Sequence, residues 1–240
     1  MSSILKSVEW GKPALSLLSQ CKELDPNLPA VMHIRHTERP TIEPGSPDGF
    51  KIVSTERGKK AAHEFGANLP PSRRYRLYHT YMERTRETAE NINKGILGNE
   101  GSSDVIGSVP LTTIIDRDGF SDYVRRESEM DSEKPLSLRV FAKWISGHYP
   151  SWLRVPALDF SQRGAVLMMK NLESAEARTF DIYVSHDVFV ATFLLFWFGF
   201  FPIDWVQFLD GFILQLIDEQ IHVYTKEGKK EAYYPYWWNF

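Results

Sequence analysis

The sequence has little cysteine, no excess of basic residues and no repeats. Its single cysteine, Cys21, cannot form an intramolecular disulfide or supply a CxxC metal or redox motif, so disulfide scaffolds and zinc fingers are excluded. Lys and Arg total 28 against 31 Asp and Glu, which gives a net charge of −3. Binding to nucleic acid through counterion release needs a basic surface, so we predict no nucleic-acid partner.

Long apolar segments are also scarce. Residues 1–18 mix charged and apolar side chains and lack the apolar core of a secretory signal, so we predict a cytoplasmic protein. The strongest apolar run, Val188 to Ile203, has 16 residues, with Gly199 and Pro202 near its end. Because a membrane-spanning helix needs about 20 residues, the run predicts a buried core helix and no membrane span. The aromatic end, residues 233–240, is expected to pack on the domain or on a second copy in a homodimer.

Short apolar runs alternate with segments of helical periodicity. The predicted strands are Pro29–Ile34, Arg76–His79 and Thr179–Ser185, and the predicted helices after them are Thr55–Phe65, Thr80–Ile96 and a segment from Val188. Thr80 and Glu83 also fit a capping box at the start of the second helix. Phe212–Ile217 and Ile221–Thr225 predict a hairpin at the sheet edge. The pattern is typical of an α/β fold with a mostly parallel sheet, and 240 residues suit one domain.

The middle of the chain is more polar than these units. Gly98–Leu111 is rich in Gly, Ser, Asn and Asp, and Phe120–Pro135 is dense in charge, so both are predicted as loops. Leu136–His148 and Gln162–Ala175 are predicted helices that pack this region down. We therefore predict a cap-like insertion at about residues 98–160.

Polar side chains follow each predicted strand at its carboxyl end. They are Arg35, His36 and Arg39 after the first strand, Thr80 and Arg84 after the second, and Ser185, His186 and Asp187 after the third. The carboxyl ends of parallel strands meet at one edge of a sheet, so we expect these side chains to lie together. Three guanidinium groups and two imidazoles suit a tetrahedral oxyanion, because arginine forks bind phosphate oxygens and a neutral imidazole can attack phosphorus. The edge is therefore predicted to be a site for phosphoryl chemistry.

The same residues resemble the histidine phosphatase superfamily, which includes the cofactor-dependent phosphoglycerate mutases and the histidine acid phosphatases. The motifs that carry the resemblance are Arg35-His36-x-x-Arg39, Ser54-Thr55-x-x-Gly58-x-x-Ala61, Arg84-Thr85-x-x-Thr88-Ala89 and Val184-Ser185-His186-Asp187. The resemblance implies a phosphoglycerate mutase-like three-layer sandwich with a mostly parallel central sheet. It also implies that the protein needs no metal and no cofactor.

The resemblance implies a role for each of these residues. His36 is the expected nucleophile that becomes phosphohistidine, and Arg35, Arg84 and His186 are expected to complete the phosphate pocket. Arg39 resembles the extra phosphate-pocket arginine of the acid-phosphatase branch. Asp187 is the expected donor of a proton to the leaving alcohol. The implied activity is a phosphomonoesterase acting on a small phosphorylated substrate.

The chain also departs from the family pattern. Thr37 stands where the family usually has Gly, and Pro40 falls one place early. Asp116 and Asp118 are alternative proton donors. Because a general acid must be protonated before it donates, we expect either a pocket that raises the pKa of Asp187 or a protein that acts at acidic pH.

Other functions stay open at this stage. A mutase would return the phosphoryl group to a second hydroxyl, and a catalytically inactive module would bind phosphate without turnover. A metal-dependent hydrolase could use side chains of ligand type, namely His33, His36, His186 and Asp187. The middle segment also holds four arginines that are candidates for contacting further anionic groups of a substrate, namely Arg117, Arg125, Arg126 and Arg139.

Overall fold

A mixed β-sheet forms the centre of the molecule. The computed structural model describes residues 3–44, 46, 49, 51–130, 133–201 and 204–238. The strands are β1 (Ala30–Arg35), β2 (Arg74–His79), β3 (Ser102–Ser108), β4 (Thr179–Ser185), β5 (Gly211–Ile217), β6 (Gln220–Thr225) and β7 (Gly228–Ala232). The helices are α1 (Ile4–Ser7), α2 (Gly11–Gln20), α3 (Glu56–Ala67), α4 (Glu83–Gly98), α5 (Arg117–Ser128), α6 (Leu136–Ile145), α7 (Ala157–Glu173) and α8 (Asp187–Phe198).

The strand order across the sheet is β3-β2-β4-β1-β5-β6-β7. The first four strands of this order pair in parallel, and β1 pairs with β5 in antiparallel fashion. The predicted hairpin of β5 and β6 is present, and β7 extends it. The predicted α/β fold is therefore confirmed, with a mixed sheet because this C-terminal meander adds antiparallel strands to one side.

Helices cover both faces of the sheet and create two separate hydrophobic cores. On one face, Ile182 of β4 packs in a cluster with Phe65 and Ile92 from α3 and α4. On the other face, the next residue, Tyr183, belongs to a cluster with Phe193 of α8. All seven residues of β4 are buried, because neither of its faces meets solvent. The arrangement is the predicted three-layer sandwich.

Three local predictions are wrong. Gly98–Leu111, predicted as a loop, contains strand β3, whose backbone pairs in parallel with β2. Phe120–Pro135, predicted as a loop, overlaps α5, which begins at Arg117 and buries few residues. The capping box does not form, since α4 begins at Glu83 with Met82 at its N-cap position. Thr80 lies outside the helix, and its hydroxyl contacts His186 instead.

The apolar run from Val188 forms the predicted core helix, α8, which packs against α7 and the sheet. The helix ends at Phe198 because Gly199 adopts a left-handed conformation with φ 69°. Pro202 and Ile203, the last part of the predicted run, lie outside the described residues. Within the described ranges, none of the helices has the length and apolar character needed to cross a bilayer.

The aromatic end of the chain packs only in part. Trp238 is 6% exposed, and its ring lies 5.2 Å from that of Trp197. Tyr233 and Tyr236 are 94% and 90% exposed. The expectation of a packed tail therefore holds for Trp238 but not for these two tyrosines, and residues 239–240 lie outside the described part.

Candidate active site

The carboxyl ends of β1 and β4 open into a cavity of about 390 Å³. The two strands are neighbours in parallel register, with Arg35 opposite Ser185, so the residues that follow them emerge side by side. The charged or titratable side chains that line the cavity are Arg35, His36, Arg39, Glu43, Arg84, Arg154, His186 and Asp187. The structure thus brings together the side chains predicted as the nucleophile, the phosphate ligands and the proton donor.

His36 is held in one tautomer. Its Nδ1 lies 2.7 Å from the carbonyl oxygen of Thr37, which can only accept, so Nδ1 carries the proton. Nε2 therefore keeps its lone pair, and it accepts a 3.2 Å hydrogen bond from Nε of Arg84. Burial lowers the pKa of His36 well below its usual range, and the charge of Arg84 lowers it further. The imidazole is neutral at pH 7, which is the form in which it can act as a nucleophile.

The guanidinium groups of the cavity are largely buried. Arg84 is 7% exposed, and Nη1 donates a 3.1 Å hydrogen bond to the carbonyl of Gly49. Burial lowers its pKa to about 10, so it stays charged at neutral pH. Arg84 therefore faces the cavity and does not lie along the exposed surface of α4. Arg39 donates to the carbonyl of Pro40, and its buried Nε has no partner among the described residues.

His186 lies beside the proposed nucleophile. The rings of His36 and His186 are 5.5 Å apart between centroids, at an angle of 69°. Nε2 of His186 is 3.2 Å from the hydroxyl oxygen of Thr80, which joins the end of β2 to the site. Burial, followed by the charge of Arg84, lowers the pKa of His186 well below its usual range. The ring is therefore neutral at pH 7 and can donate one N–H to a phosphoryl oxygen.

Asp187 is surrounded by groups that stabilise its charge. Its Oδ2 lies 3.2 Å from Nη2 of Arg35, and its Oδ1 accepts a 2.9 Å hydrogen bond from the backbone N–H of Val188. The indole of Trp205 also donates to the carboxylate. Burial alone would raise the pKa of Asp187, but Arg35, Trp205 and Val188 together lower it. Of the two sequence-based alternatives, a pocket that raises the pKa of Asp187 is not found in this arrangement, and action at acidic pH stays a prediction.

The unusual Thr37 does not face the cavity. Its side chain is fully buried and donates a 2.8 Å hydrogen bond to the carbonyl of Gly58 at the start of α3. Its backbone N–H donates to the hydroxyl of Thr88. A Cβ at Gly58 would lie 2.5 Å from the carbonyl oxygen of Glu38, so α3 can approach the nucleophile loop this closely because residue 58 is glycine. Thr37 therefore anchors the loop and does not line the cavity.

The other predicted carboxylates and cap arginines lie elsewhere. Asp116 accepts a hydrogen bond from Gly119 as the N-cap of α5, and neither it nor Asp118 lines the cavity. Arg125 and Arg139 form ion pairs with acidic residues of the cap. The arginines at 117, 125, 126 and 139 are all absent from the cavity lining.

Two residues that sequence reasoning missed do line the cavity, Arg154 and Glu43. Arg154 is 2% exposed, and its guanidinium lies 3.7 Å from the ring centroid of Trp144. The signal available in the sequence was its position between the apolar residues Leu153 and Val155. A charged residue within such a short apolar run is typical of a buried, partnered cation.

His33 is buried in the core. Its Nε2 is hydrogen-bonded to the hydroxyl of Ser185, and burial lowers its pKa to about 3. Within the described part of the chain, no three His, Cys, Asp or Glu side chains are grouped so that they could hold a metal ion. The cavity instead gathers guanidinium groups, which favour an anion.

No protein-family model and no curated protein sequence matches the chain. Solved structures do match it. YhfR of Bacillus stearothermophilus is 17% identical with a TM-score of 0.59, and the match covers 82% of this chain and 96% of that one. Phosphoglycerate mutase from Bacillus anthracis str. Sterne is 14% identical with a TM-score of 0.54, over 89% and 95% of the two chains. The chain has the phosphoglycerate mutase-like fold that these structures share.

A third structure with this fold is a mycobacterial glucosyl-3-phosphoglycerate phosphatase in complex with VO3. It is 13% identical with a TM-score of 0.53, and the match covers 85% of this chain and 98% of that one. The predicted resemblance to the histidine phosphatase superfamily is therefore confirmed at the level of the fold. At these identities the likeness extends to the arrangement of the sheet and helices.

Proposed function

We propose that this chain is a metal-independent phosphomonoesterase that acts on a small phosphorylated substrate through a phosphohistidine at His36. The observation that carries the proposal is the hydrogen bond from Nδ1 of His36 to the carbonyl of Thr37. It fixes the proton on Nδ1 and leaves Nε2 as a neutral nucleophile in a cavity lined by arginines. The similarly folded mycobacterial phosphatase was solved with an oxyanion, VO3, which supports the choice of ligand.

In the first step, Nε2 of His36 attacks phosphorus, the P–N bond forms and the P–O bond to the leaving group breaks. Arg84 hydrogen-bonds Nε2, so a phosphoryl oxygen must replace Nε2 as the acceptor before attack. In this proposal the remaining phosphoryl oxygens are bound by three residues that line the same cavity, Arg35, Arg39 and His186. Fixed charges of this kind stabilise the charge on the equatorial oxygens in phosphoryl transfer.

Asp187 protonates the departing oxygen. Its pKa is lowered by Arg35, but a phosphoryl dianion would compete for that guanidinium and place negative charge beside the carboxylate. Both effects raise the pKa of a carboxyl group. In the second step, water attacks the phosphohistidine, Asp187 accepts the proton of the water, and inorganic phosphate leaves with His36 neutral again.

Helices α5 and α6 form the opposite wall of the cavity as a cap over the leaving-group side. The apolar residues that they contribute are Phe120, Val124, Leu136 and Val140. These side chains exclude water from the space beside the phosphate pocket and leave room for a small organic group. Residues 98–160 thus contain both β3, which belongs to the sheet, and the two helices that act as the cap.

The test combines product release with trapping of the intermediate. We expect release of inorganic phosphate from an aryl phosphate and a panel of metabolite phosphates in the presence of excess chelator. Rapid quenching with ³²P-labelled substrate should give an acid-labile, base-stable label on the wild-type protein and none on His36→Ala. His63→Ala, at an exposed histidine of α3, is the matched control and should be labelled like the wild type.

Other outcomes point to the alternatives. Transfer of the label to a second hydroxyl of the substrate would identify a mutase. Binding of vanadate without turnover would identify an inactive phosphate-binding module. Loss of activity on chelation would contradict metal independence, and undiminished activity in His36→Ala would contradict the assignment of the nucleophile.

A further inference from the structure

The guanidinium group of Arg154 is buried in the wall of the active-site cavity and is incompletely hydrogen-bonded. Its Nε donates a 3.3 Å hydrogen bond to the hydroxyl of Thr113. Its Nη1 is buried and has no hydrogen-bond partner among the described residues. Burial lowers the pKa of Arg154 to about 9, so the group is still charged at pH 7. A buried charged donor without an acceptor is costly to a folded protein, which indicates that a ligand supplies the acceptor.

Aromatic rings hold the group but do not satisfy its donors. The guanidinium carbon lies 3.7 Å from the ring centroid of Trp144, 5.1 Å from that of Phe120 and 5.8 Å from that of Tyr149. Such contacts offset part of the cost of removing the charge from water. The rings offer π faces and no lone pair to the N–H groups in the guanidinium plane. The cage therefore holds the guanidinium in place and leaves Nη1 without an acceptor among the described residues.

The backbone beside Arg154 is fixed as well. Arg154 and Ile114 form an antiparallel bridge, and the N–H of Val155 donates a 2.8 Å hydrogen bond to the carbonyl of Thr113. The carbonyl of Val155 accepts a 2.7 Å bond from the indole of Trp144. The side chain is thus held in place from both ends, as a ligand-binding group must be to bind without losing much conformational entropy.

The charges of the cavity leave Arg154 unmatched. Arg35 forms an ion pair with Asp187. Arg84 and Arg39 remain to balance a phosphoryl dianion, since their hydrogen bonds go to uncharged acceptors. No carboxylate among the described residues forms an ion pair with Arg154, and Glu43, which also lines the cavity, is exposed to solvent. Among the described residues, one buried positive charge is therefore left without an ion-pair partner on the cap side.

We propose that Arg154 binds a second anionic group of the substrate, a carboxylate or a phosphate, on the leaving-group side of the cavity. The planar fork can bind two oxygens of such a group at once. The apolar residues of α5 and α6 would contact the carbon chain between the two anionic groups. The inference rests on the proposed function, because it takes His36 as the place where the phosphoryl group binds. The substrate class is then a small phosphate monoester that carries a second acid.

Binding of non-hydrolysable phosphonates tests the inference without turnover. The probes are alkylphosphonates of two to four carbons that end in a methyl group, a carboxylate or a second phosphonate, titrated by calorimetry at pH 7. For at least one chain length, the wild-type protein should bind a doubly acidic probe at least about tenfold more tightly than its methyl counterpart, the effect of one charge-assisted hydrogen-bond pair. The ranking of carboxylate against phosphonate identifies the second group.

Variants test whether Arg154 causes the tighter binding of the doubly acidic probes. In Arg154→Met the ratio of affinities should fall to about one, and in Arg154→Lys, which keeps the charge but loses the fork, it should be intermediate. Arg126→Met is the matched control, because Arg126 is an exposed arginine of α5 outside this cavity. It should keep the wild-type ratio. Thermal unfolding of each variant shows that the comparison is made between folded proteins.

The outcomes separate this inference from the proposed function. Equal affinity for all probes of each length in the wild type, or a preference that survives in Arg154→Met, would overturn the role of Arg154. Hydrolysis of simple aryl phosphates together with that equal affinity would leave the phosphatase assignment intact. A preference for doubly acidic probes without hydrolysis of any ester would support Arg154 and contradict the phosphatase. Failure to bind any phosphonate would contradict both.

Discussion

The indole Nε1 of Trp205 donates a 2.9 Å hydrogen bond to Oδ2 of Asp187. This bond stabilises the charged form of the carboxyl group, so its loss should raise the pKa of Asp187. If Asp187 donates the proton to the leaving group, Trp205→Phe should shift the basic limb of the kcat profile for an alkyl phosphate to higher pH. Trp152→Phe is the control, since Trp152 is 65% exposed. Profiles that coincide for wild type and Trp205→Phe would argue against Asp187 as the acid.

Removal of the proton donor should depend on the leaving group. Asp187→Asn should lower kcat/KM for an alkyl phosphate by about 10²-fold or more, the usual contribution of general acid catalysis. Activated aryl esters such as p-nitrophenyl phosphate leave without protonation and should lose much less. Asp116→Asn and Asp118→Asn are the controls, because neither residue lines the cavity. A larger loss in Asp116→Asn or Asp118→Asn than in Asp187→Asn would indicate that the cap carboxylate, and not Asp187, is the proton donor.

The close approach of α3 to the nucleophile loop should be sensitive to one methyl group. Gly58→Ala places a Cβ 2.5 Å from the carbonyl oxygen of Glu38, so the loop or the helix must move. We expect the free energy of unfolding to fall by about 1–3 kcal/mol and vanadate binding to weaken. Gly98→Ala is the control, since nothing lies within 4 Å of its added Cβ. Denaturant unfolding and a vanadate titration measure the two effects, and a Gly58→Ala protein that matches Gly98→Ala in both would contradict the packing argument.

The buried His33 should make the protein less stable in acid. Burial lowers its pKa to about 3, whereas histidine in an unfolded chain has a pKa of about 6.5. Between these pH values the unfolded state binds more protons, so the free energy of unfolding falls as the pH falls, by about 1.4 kcal/mol per pH unit for each such histidine. His36 and His186 have lowered pKa values too and add to the slope.

Substitution isolates the contribution of His33. Between pH 6 and pH 4, His33→Gln should lose less stability per pH unit than the wild type, whatever its stability at pH 7. His63→Gln, at an exposed histidine, should keep the wild-type slope. Urea unfolding at a series of pH values gives the slopes directly. The same slope in wild type and His33→Gln would show that this residue is not protonated on unfolding.

The elements that position the site could be predicted because their sequences are locally decisive. β1 and β4 are mostly apolar and almost entirely buried, and a histidine directly follows the last residue of each strand. Because β1 and β4 are parallel neighbours, the motif residues that follow them lie at the same edge of the sheet. The tautomer of His36 and the ionisation of Asp187 could not be predicted, since they depend on Thr37 carbonyl geometry and on Trp205, which is 18 residues away in the chain.

The cap was harder to predict for a physical reason. β3 has an alternating, mostly exposed pattern of small polar residues, and it is a strand because β2 offers it backbone partners. The sequence of α5 is as rich in charged residues as a loop. One of these residues, Glu127, is buried and forms ion pairs with Arg139 and Lys143, which the local pattern does not reveal. Arg154 reaches the cavity through a bridge to Ile114, forty positions earlier in the chain. Local sequence patterns do not record such contacts.

The two outer strands of the sheet have a consequence for self-association. β3 carries Ser102 and Asp104, and β7 carries Lys229, Lys230 and Glu231 on five residues. Asp104 on β3 and the charged residues of the short β7 resist strand addition from another chain, because pairing would desolvate those charges. The open sheet is thus protected against edge-to-edge aggregation. Two copies that meet in solution are expected to use the exposed aromatic end of the chain or a helical face, and the sheet stays at seven strands.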